Sequence, residues 1–258
     1  MSDAMAAEFD TVAEWTAQVA RRLGRDYYLP AACRGSGSPA ALDWLISALE
    51  LRAGDTLLDC GAGVGGPAAY AVQNRRVLPL LIEPLAGACR ASATLFGLPV
   101  VQAAGSDLPV ADHAVDAAWS LGVLCTMQDQ LGLLSELRRV VRPPGRIGLL
   151  VYVATKQIPE HDLPEGNRFP SSAALAELFD HAGLMVIDHR SAAGLAAAPH
   201  DWQWREDEVE AEIKRVHGHQ EAWTLAEQQA ASMADLIADG SVAAGLFSLR
   251  HRSVPADR

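Results

Sequence analysis

Apolar residues recur along the chain with two different periods. Phe9, Val12, Val19 and Leu23 fall at helical spacing around Trp15 and predict an amphipathic helix over 8–24. Ser38 and Pro39 read as an N-cap and a first helical position, opening a helix with Leu42, Leu45, Ile46 and Leu49 on one face. Short, nearly continuous apolar runs then appear at 55–60, 77–83, 100–104, 115–121 and 145–154, separated by helical stretches at 65–74, 85–96 and 129–142. That alternation predicts βαβ units, hence a parallel sheet with helices on both faces. A helix over 172–182, carrying Leu175, Leu178 and Phe179, leads to a strand at 183–191. Two further amphipathic helices follow, one with Val209, Ile213 and Val216 on a face, the other with Trp223, Ala226, Ala230, Met233 and Ile237. The last strand is expected at 246–252. No internal repeat or low-complexity linker interrupts this order.

The most informative segment is Leu57–Tyr70, LLDCGAGVGGPAAY: a buried strand, a glycine turn and a helix start. Glycine permits positive φ and lets a ligand approach the backbone without a Cβ in the way. The free N–H groups of the following helix then face whatever lies in the turn. Three readings compete: a ligand-free tight turn, a dinucleotide site and an S-adenosylmethionine (SAM) site. Gly61, Gly63 and Gly66 fit G-x-G-x-x-G, with Glu83 about 20 residues on, as a dinucleotide's ribose-binding acid would be. Against the dinucleotide stands the prefix of about 50 residues, since such units more often begin near their own N-terminus.

Composition narrows the partners. A net charge of −11, with only Lys156 and Lys214 as lysines, argues against nucleic acid, which asks for a basic face. No apolar run approaches the roughly 20 residues of a membrane span, and the opening residues have no secretory pattern. Cys33, Cys60, Cys89 and Cys125 form no C-x-x-C pair and read as buried thiols in a reducing cytoplasm. The expected layout is an N-terminal helical lid (1–52), a ligand-binding core (53–194), a helical cap insertion (195–242), and a last strand with C-terminal tail (243–258), together one compact unit.

Four segments in order resemble the class I SAM-dependent methyltransferases. LLDCGAGVGG is similar to that family's first motif, and LLIEPL at 80–85 to its second. GSDLPVADHAVDAAWSLGVL at 105–124 is similar to the segment that covers adenine and enters strand four, and LRRVVRPPGRIGLLVY at 137–152 to the helix, turn and strand five. The resemblance implies a Rossmann-like seven-stranded sheet, mostly parallel with an antiparallel last strand, carrying a helical N-terminal extension and a helical insertion before that strand. It implies SAM as cofactor and S-adenosylhomocysteine (SAH) as product, held by Asp59, Gly61, Ala62, Gly63, Gly65, Glu83, Pro84, Ser106, Asp107, Leu108, Ser120, Leu121 and Gly122. Chemistry agrees at several of these positions. Asp59 ends a buried strand, where a charge is costly unless paired, or it is a turn-stabilising Asp. Glu83 can accept from two vicinal hydroxyls, or it is a solvated strand-end acid. Asp107 could take the adenine amino group with Leu108 packed on the ring, or form an Asx turn before Pro109.

The acceptor is less legible. No N/D-P-P-Y/F follows strand four, and no ligand set has metal-binding spacing, so a metal-independent enzyme is expected. The GVGGPA form of the motif, the prefix and the late insertion resemble small-molecule methyltransferases of sterol, tocopherol and polyketide-tailoring type. This implies a pocket roofed by 8–50 and 195–240 and lined by Trp15, Tyr27, Tyr28, Trp202, Trp204 and Trp223, which serve equally well as lid anchors. Candidates for a base are Tyr28, His113, His200, His217 and His219, with Tyr28 best placed to orient substrate or sulfonium. Arg34-Gly35-Ser36-Gly37 fits either a carboxylate contact or a flexible loop. The leading expectation is methyl transfer to carbon, oxygen or nitrogen of a small apolar or aromatic metabolite in secondary metabolism. Alternatives are a cyclisation or rearrangement with SAM as a structural element, an NAD(P)-dependent oxidoreductase, and a non-catalytic SAM-binding subunit. A homodimer is compatible with all of them; no nucleic acid or membrane partner is expected.

Overall fold

The computed structural model describes residues 3–252; the expected tail at 253–258 lies outside the described residues. Seven strands, β1 (Thr56–Cys60), β2 (Leu78–Glu83), β3 (Val100–Gln102), β4 (Val115–Leu121), β5 (Val141–Ala154), β6 (Leu184–Ser191) and β7 (Val242–His251), form one sheet in the order β3-β2-β1-β4-β5-β7-β6. Strands β3 to β5 pair in parallel around β1, and β7 runs antiparallel between β5 and β6. The order reverses at β1, so the carboxyl ends of β1 and β4 flank the crevice where open α/β sheets take ligands.

Alternation along the strands divides the core. Leu58, Ile82, Ile147 and Leu149 face α6 (Gln130–Val140) and α7 (Ser172–His181), packing on Leu133, Leu134, Leu137, Leu175 and Phe179. Leu57, Trp119, Leu150 and Leu246 face α3 (Pro39–Ala48) and α4 (Gly66–Arg75), packing on Leu42, Leu45, Ile46 and Ala71. Each fully buried Leu or Ile contributes about 1.5–3 kcal/mol relative to exposure. The expected cap of α3 is present: Ser38 Oγ accepts from the Ala41 amide, with Pro39 at the first turn.

Several boundaries differ from the sequence reading. Helix α1 (Asp3–Leu23) starts earlier, a short helix α2 (Tyr28–Cys33) follows it where no helix was expected, and β7 begins at Val242 rather than 246. The RPPGR stretch is a bulge inside β5, not a turn between helix and strand. Register passes from Val115↔Val141 to Ala117↔Arg146, so the two prolines, which cannot donate to a ladder, sit in the unpaired excess.

The prefix is seated by glycines. A Cβ at Gly66 would overlap the backbone of Ala32 and Cys33, and one at Gly87 would overlap Asp10. Helix α2 therefore rests directly on the start of α4, and α1 lies along α5 (Ala86–Phe96). On its other side α1 packs through Trp15, Val19 and Ala20 on Val209, Ile213 and Trp223 of α8 (His200–His217) and α9 (Glu221–Ala238). Gly66→Ala is expected to destabilise the protein by about 1–3 kcal/mol through overpacking. Urea unfolding reads this directly, and an unchanged midpoint would mean that α2 does not depend on that contact.

Candidate active site

The glycine turn is tied to β2. Gly61 and Ala62 amides both donate to the Ile82 carbonyl, at 2.8 and 3.1 Å, and the Gly65 amide closes on Ala62 at 2.8 Å. Gly61 and Gly63 take φ of 76° and 52°, in the left-handed region that glycine occupies without strain. A Cβ at Gly61 would overlap Val123, whereas one at Gly63 meets nothing within 4 Å. The turn is thus packed on one side and open at Gly63.

Glu83, only 5% exposed, closes this arrangement. Its Oε2 accepts from the Gly63 amide at 2.8 Å and its Oε1 from the Leu85 amide at 3.0 Å. Burial pushes its pKa up, while those two amides favour the ionised form. A carboxylate offers about four lone-pair sites, so each oxygen keeps capacity for one more donor. Two vicinal hydroxyls fit that capacity. Pro84 is exposed, and its carbonyl accepts from Gln102 Nε2 at 3.0 Å.

Asp59 lies in register with Trp119 across β1 and β4 and is 1% exposed. Its Oδ2 has no hydrogen-bond partner among the described residues. Burial pushes its pKa up to about 7, with the Trp119 indole opposing and the charge of Glu83 adding to the rise. An unpaired buried carboxylate of this kind is stabilised by a cation or by further donors. At the end of β4, Gly122 has φ 77°, and a Cβ there would come within 3.1 Å of the Gly35 carbonyl. The Cys33–Gly37 stretch thereby roofs the β4 end, and Arg34 pairs with Glu210 of α8 at 3.0 Å.

Other expected site residues do different work. Ser120 is buried, and its hydroxyl donates to the Cys60 carbonyl at 2.8 Å, tying β4 to β1. Leu121 packs in the core beneath α3. Leu108 is also a core residue, packed with Leu133, Leu134 and Leu137; its amide donates to Glu136 at 2.7 Å and its carbonyl accepts from Arg139 at 3.0 Å. It anchors the 105–110 loop instead of covering a ring. Asp107 is exposed and Ser106 half-buried, both on the solvent side of that loop. The Glu136–Arg139 pair at spacing i, i+3 was the sequence signal for this anchor.

Of the catalytic candidates, His113 and His217 are not brought to the turn. Tyr28 lies on α2, the helix that rests on Gly66, and meets Phe96 of α5 edge-on at 6.2 Å, in the same apolar cluster as Val64 of the turn. His113 precedes β4, so it sits at the amino edge of the sheet, with Nδ1 at 3.2 Å from the Val141 carbonyl. His217 ends α8 and stacks on Trp15 at 4.1 Å, where burial lowers its pKa. Trp15 and Trp223 are buried lid-core residues, as their anchoring reading had it. Tyr27 donates to Glu208 at 2.6 Å beside Trp204, which is 51% exposed. Trp202 packs edge-on to Tyr70 of α4 and neighbours the half-buried Glu206. The sequence reading missed the lid carboxyls Glu8 and Glu206; their isolated positions on amphipathic helices gave no spacing signal.

A cleft of about 1050 Å³ opens nearby at the carboxyl end of β5, walled by Gln128, Thr155, Ile158, Leu163, Arg168 and Phe169. It does not open on the glycine turn itself. Among the described residues, no group of three or more His, Cys, Asp or Glu gathers as a metal site. SAM fits the turn on the structure's own terms: an open face at Gly63, acceptor capacity on Glu83, and an uncompensated buried acid at Asp59.

Comparisons with known proteins agree with this geometry. Residues 58–149 match a family model described as a methyltransferase domain. Over 180 residues the chain is 27% identical to a sterol 24-C-methyltransferase of Gibberella zeae, covering 62% of this chain and 47% of that protein. The chain spans less than half the length of the first curated relatives it matches. Among solved structures, the [4+2]-cyclase SpnF has a TM-score of 0.66 at 20% identity, covering 83% of this chain and 80% of that one. The mycolic acid cyclopropane synthase CmaA1, complexed with SAH, has a TM-score of 0.67 at 17% identity, covering 82% and 83%. Residues 58–149 thus carry a methyltransferase domain, and the sheet around it has the fold of these solved neighbours.

Proposed function

We propose that this protein is a metal-independent SAM-dependent methyltransferase acting on carbon, oxygen or nitrogen of a small apolar or aromatic metabolite in natural-product biosynthesis. The observation that carries the reading is the buried Glu83 carboxylate holding the Gly63 amide beside an uncompensated Asp59, inside the matched domain. When bound, SAM supplies a sulfonium methyl for in-line displacement. The chain's own residues hold the cofactor and exclude water, and much of such a rate enhancement comes from orientation in a dry site. Glu83 takes the ribose hydroxyls, the open face at Gly63 admits the methionine part, and Asp107 offers its carboxylate to the adenine amino group. The roof of Arg34–Gly37 and α8 closes over the β4 end. The half-apolar cleft beside β5 supports an acceptor of this class, with Phe169, Ile158 and Leu163 as its apolar wall.

Four free thiols, three of them buried, support a reducing cytoplasm as the setting. Among the described residues, no helix is long and apolar enough to cross a membrane. A second reading, in which SAM is a fixed electrostatic element in a cyclisation, draws support from the likeness to SpnF.

Calorimetric titration tests the cofactor. SAM and SAH are expected to bind in the micromolar range and NAD(P)H not at all; tight NAD(P)H binding without SAM binding would sink the reading. Glu83→Ala is expected to weaken SAM about tenfold or more, as loss of two hydrogen bonds to a charged group implies. An unchanged affinity removes Glu83 from the site. Label from methyl-tritiated SAM must appear in product; if an acceptor rearranges without taking label, the second reading stands instead.

Asp59 also sets a pH dependence. Its folded-state pKa, raised from 3.8 to about 7, means the folded form keeps the proton longer. Its contribution to stability is therefore present at acid pH and lost as pH rises through that window. Relative to wild type, Asp59→Asn should gain thermal stability at pH 8 and gain less at pH 5. Equal effects at both pH values would show that Asp59 is compensated in the ligand-free protein.

A further inference from the structure

Between β3 and β4 no helix intervenes, so residues 103–114 hold their course by other means. The loop leaves directly from the site, as the Ala103 amide donates to the Glu83 carbonyl at 3.3 Å. It then crosses the end of β1. A Cβ at Gly105 would come within 3.0 Å of Cys60 Sγ and 2.9 Å of Leu133 of α6. Cys60 is the residue before Gly61, so Gly105 packs at the root of the glycine turn. Asp107 follows, its amide closing on the Ala104 carbonyl at 3.2 Å. Its side chain is exposed, and its carboxylate has no hydrogen bond or ion pair among the described residues.

Immediately after Asp107 the chain is clamped by one ion pair of α6. Both backbone groups of Leu108 are taken: the amide donates to Glu136 Oε2 at 2.7 Å, and the carbonyl accepts from Arg139 Nη2 at 3.0 Å. Arg139 Nη1 donates to the Val110 carbonyl and to Asp112, each at 2.7 Å. Its Nε and Nη2 donate to the two Glu136 oxygens at 2.7 Å. Every guanidinium N–H is thereby used. The main chain adds a further tie, from the His113 amide to the Arg139 carbonyl at 2.9 Å. The Leu108 side chain is buried among Leu133, Leu134 and Leu137. Close packing thus fixes the chain two residues before Asp107, and the clamp fixes it one residue after. The unbonded carboxylate stands between two fixed points.

We propose that Glu136 and Arg139 are positioning residues for the base of SAM: by fixing Leu108 they hold the Asp107 carboxylate against the exocyclic amine, and so set the preference for a 6-aminopurine over a 6-oxopurine. The inference rests on the proposed function and adds the residues that impose purine selectivity within that site. A carboxylate only accepts, so it pairs with a 6-amino group and is repelled by a 6-oxo group. Such discrimination needs a held geometry, because hydrogen bonds weaken steeply once misaligned. A loosened loop lets the exposed acid turn to water, or follow the N1–H that a 6-oxopurine offers instead. Neither Glu136 nor Arg139 touches the base, since their bonds are spent on each other and on the loop.

The test is calorimetry on the full chain with SAH and with S-inosylhomocysteine, which carries a 6-oxo group in place of the amine. Wild type is expected to bind SAH about tenfold tighter or more, as one hydrogen bond to a charged group implies. Arg139→Gln should cut that ratio to about threefold or less, weakening SAH while leaving the inosine ligand within about twofold. Glu136→Gln keeps an acceptor for the Leu108 amide but loses the charged fork, and its ratio should fall about threefold or more. That variant carries the test if Arg139→Gln does not fold. Asp112→Asn leaves the ties to Leu108 and Val110 in place and should keep the wild-type ratio. An unchanged ratio in the Glu136 or Arg139 variant, or equal weakening of both ligands, makes the pair a plain structural anchor and overturns the proposal. An equal fall in Asp112→Asn marks general loosening and overturns it too, as does a wild type that binds both ligands alike. Failure of wild type to bind SAH at all overturns the proposed function itself and is read from the same titrations.

Discussion

The Glu83 carboxylate bridges two backbone amides, Gly63 in the glycine turn and Leu85 at the start of α5, and the rest of the site hangs from that bridge. Through Gly63 it fixes the turn, so that Gly66 presents a bare backbone to α2 and brings Gly35 over the end of β4. Through Leu85 it sets the first turn of α5, whose Gly87 receives Asp10 of α1. From there α1 carries Trp15 into the lid core with Ile213 and Trp223. One buried acid thus connects sheet, turn and lid. Charge-assisted hydrogen bonds of this kind are worth about 1.5–3 kcal/mol each, against a burial cost of similar order, so the bridge specifies geometry more than it adds stability.

The same end of the molecule concentrates an electrostatic cost. Asp59 is buried and lacks a full set of partners, and Glu83 contributes a second negative charge close by. In the periphery the charges are satisfied conventionally. Arg139 is held by Glu136 and Asp112, and Arg146 reaches Ala48 and Glu50, pairs that clamp loops to the sheet. Solvated pairs contribute about 0–1 kcal/mol and are not where ligand energy resides. The uneven distribution, paired outside and uncompensated inside, is what a cation-binding site in a stable scaffold requires.

Much of this was legible in the sequence. The strands announced themselves by apolar runs, and the seven-stranded order with one antiparallel strand is the order the resemblance implied. The glycine turn, Asp59 and Glu83 were readable because each is a local signal: strand, then turn, then acid. What the sequence concealed was decided by tertiary packing. His113 and His217 have suitable chemistry, yet strand polarity and helix direction carry them to the Val141 carbonyl and Trp15. Leu108 could equally have faced a ring or the core, and the core took it because α6 supplies Leu133, Leu134 and Leu137 beside it. Pro143 and Pro144 read as a turn because prolines end ladders, while the structure absorbs them as a bulge within β5. Glu8 was invisible because nothing in a single polar residue on an amphipathic helix says that its face is covered.

The central claim is that the glycine turn and the α2 roof form one SAM-binding unit, coupled through Gly66 and Gly35. Hydrogen–deuterium exchange with and without SAH measures that coupling most directly. Saturating SAH should slow exchange together at 61–66, at 83–87 and at 31–37, with little change at the amino edge around 113–116. Protection confined to the turn with no response at 31–37, or protection centred elsewhere, would contradict the account.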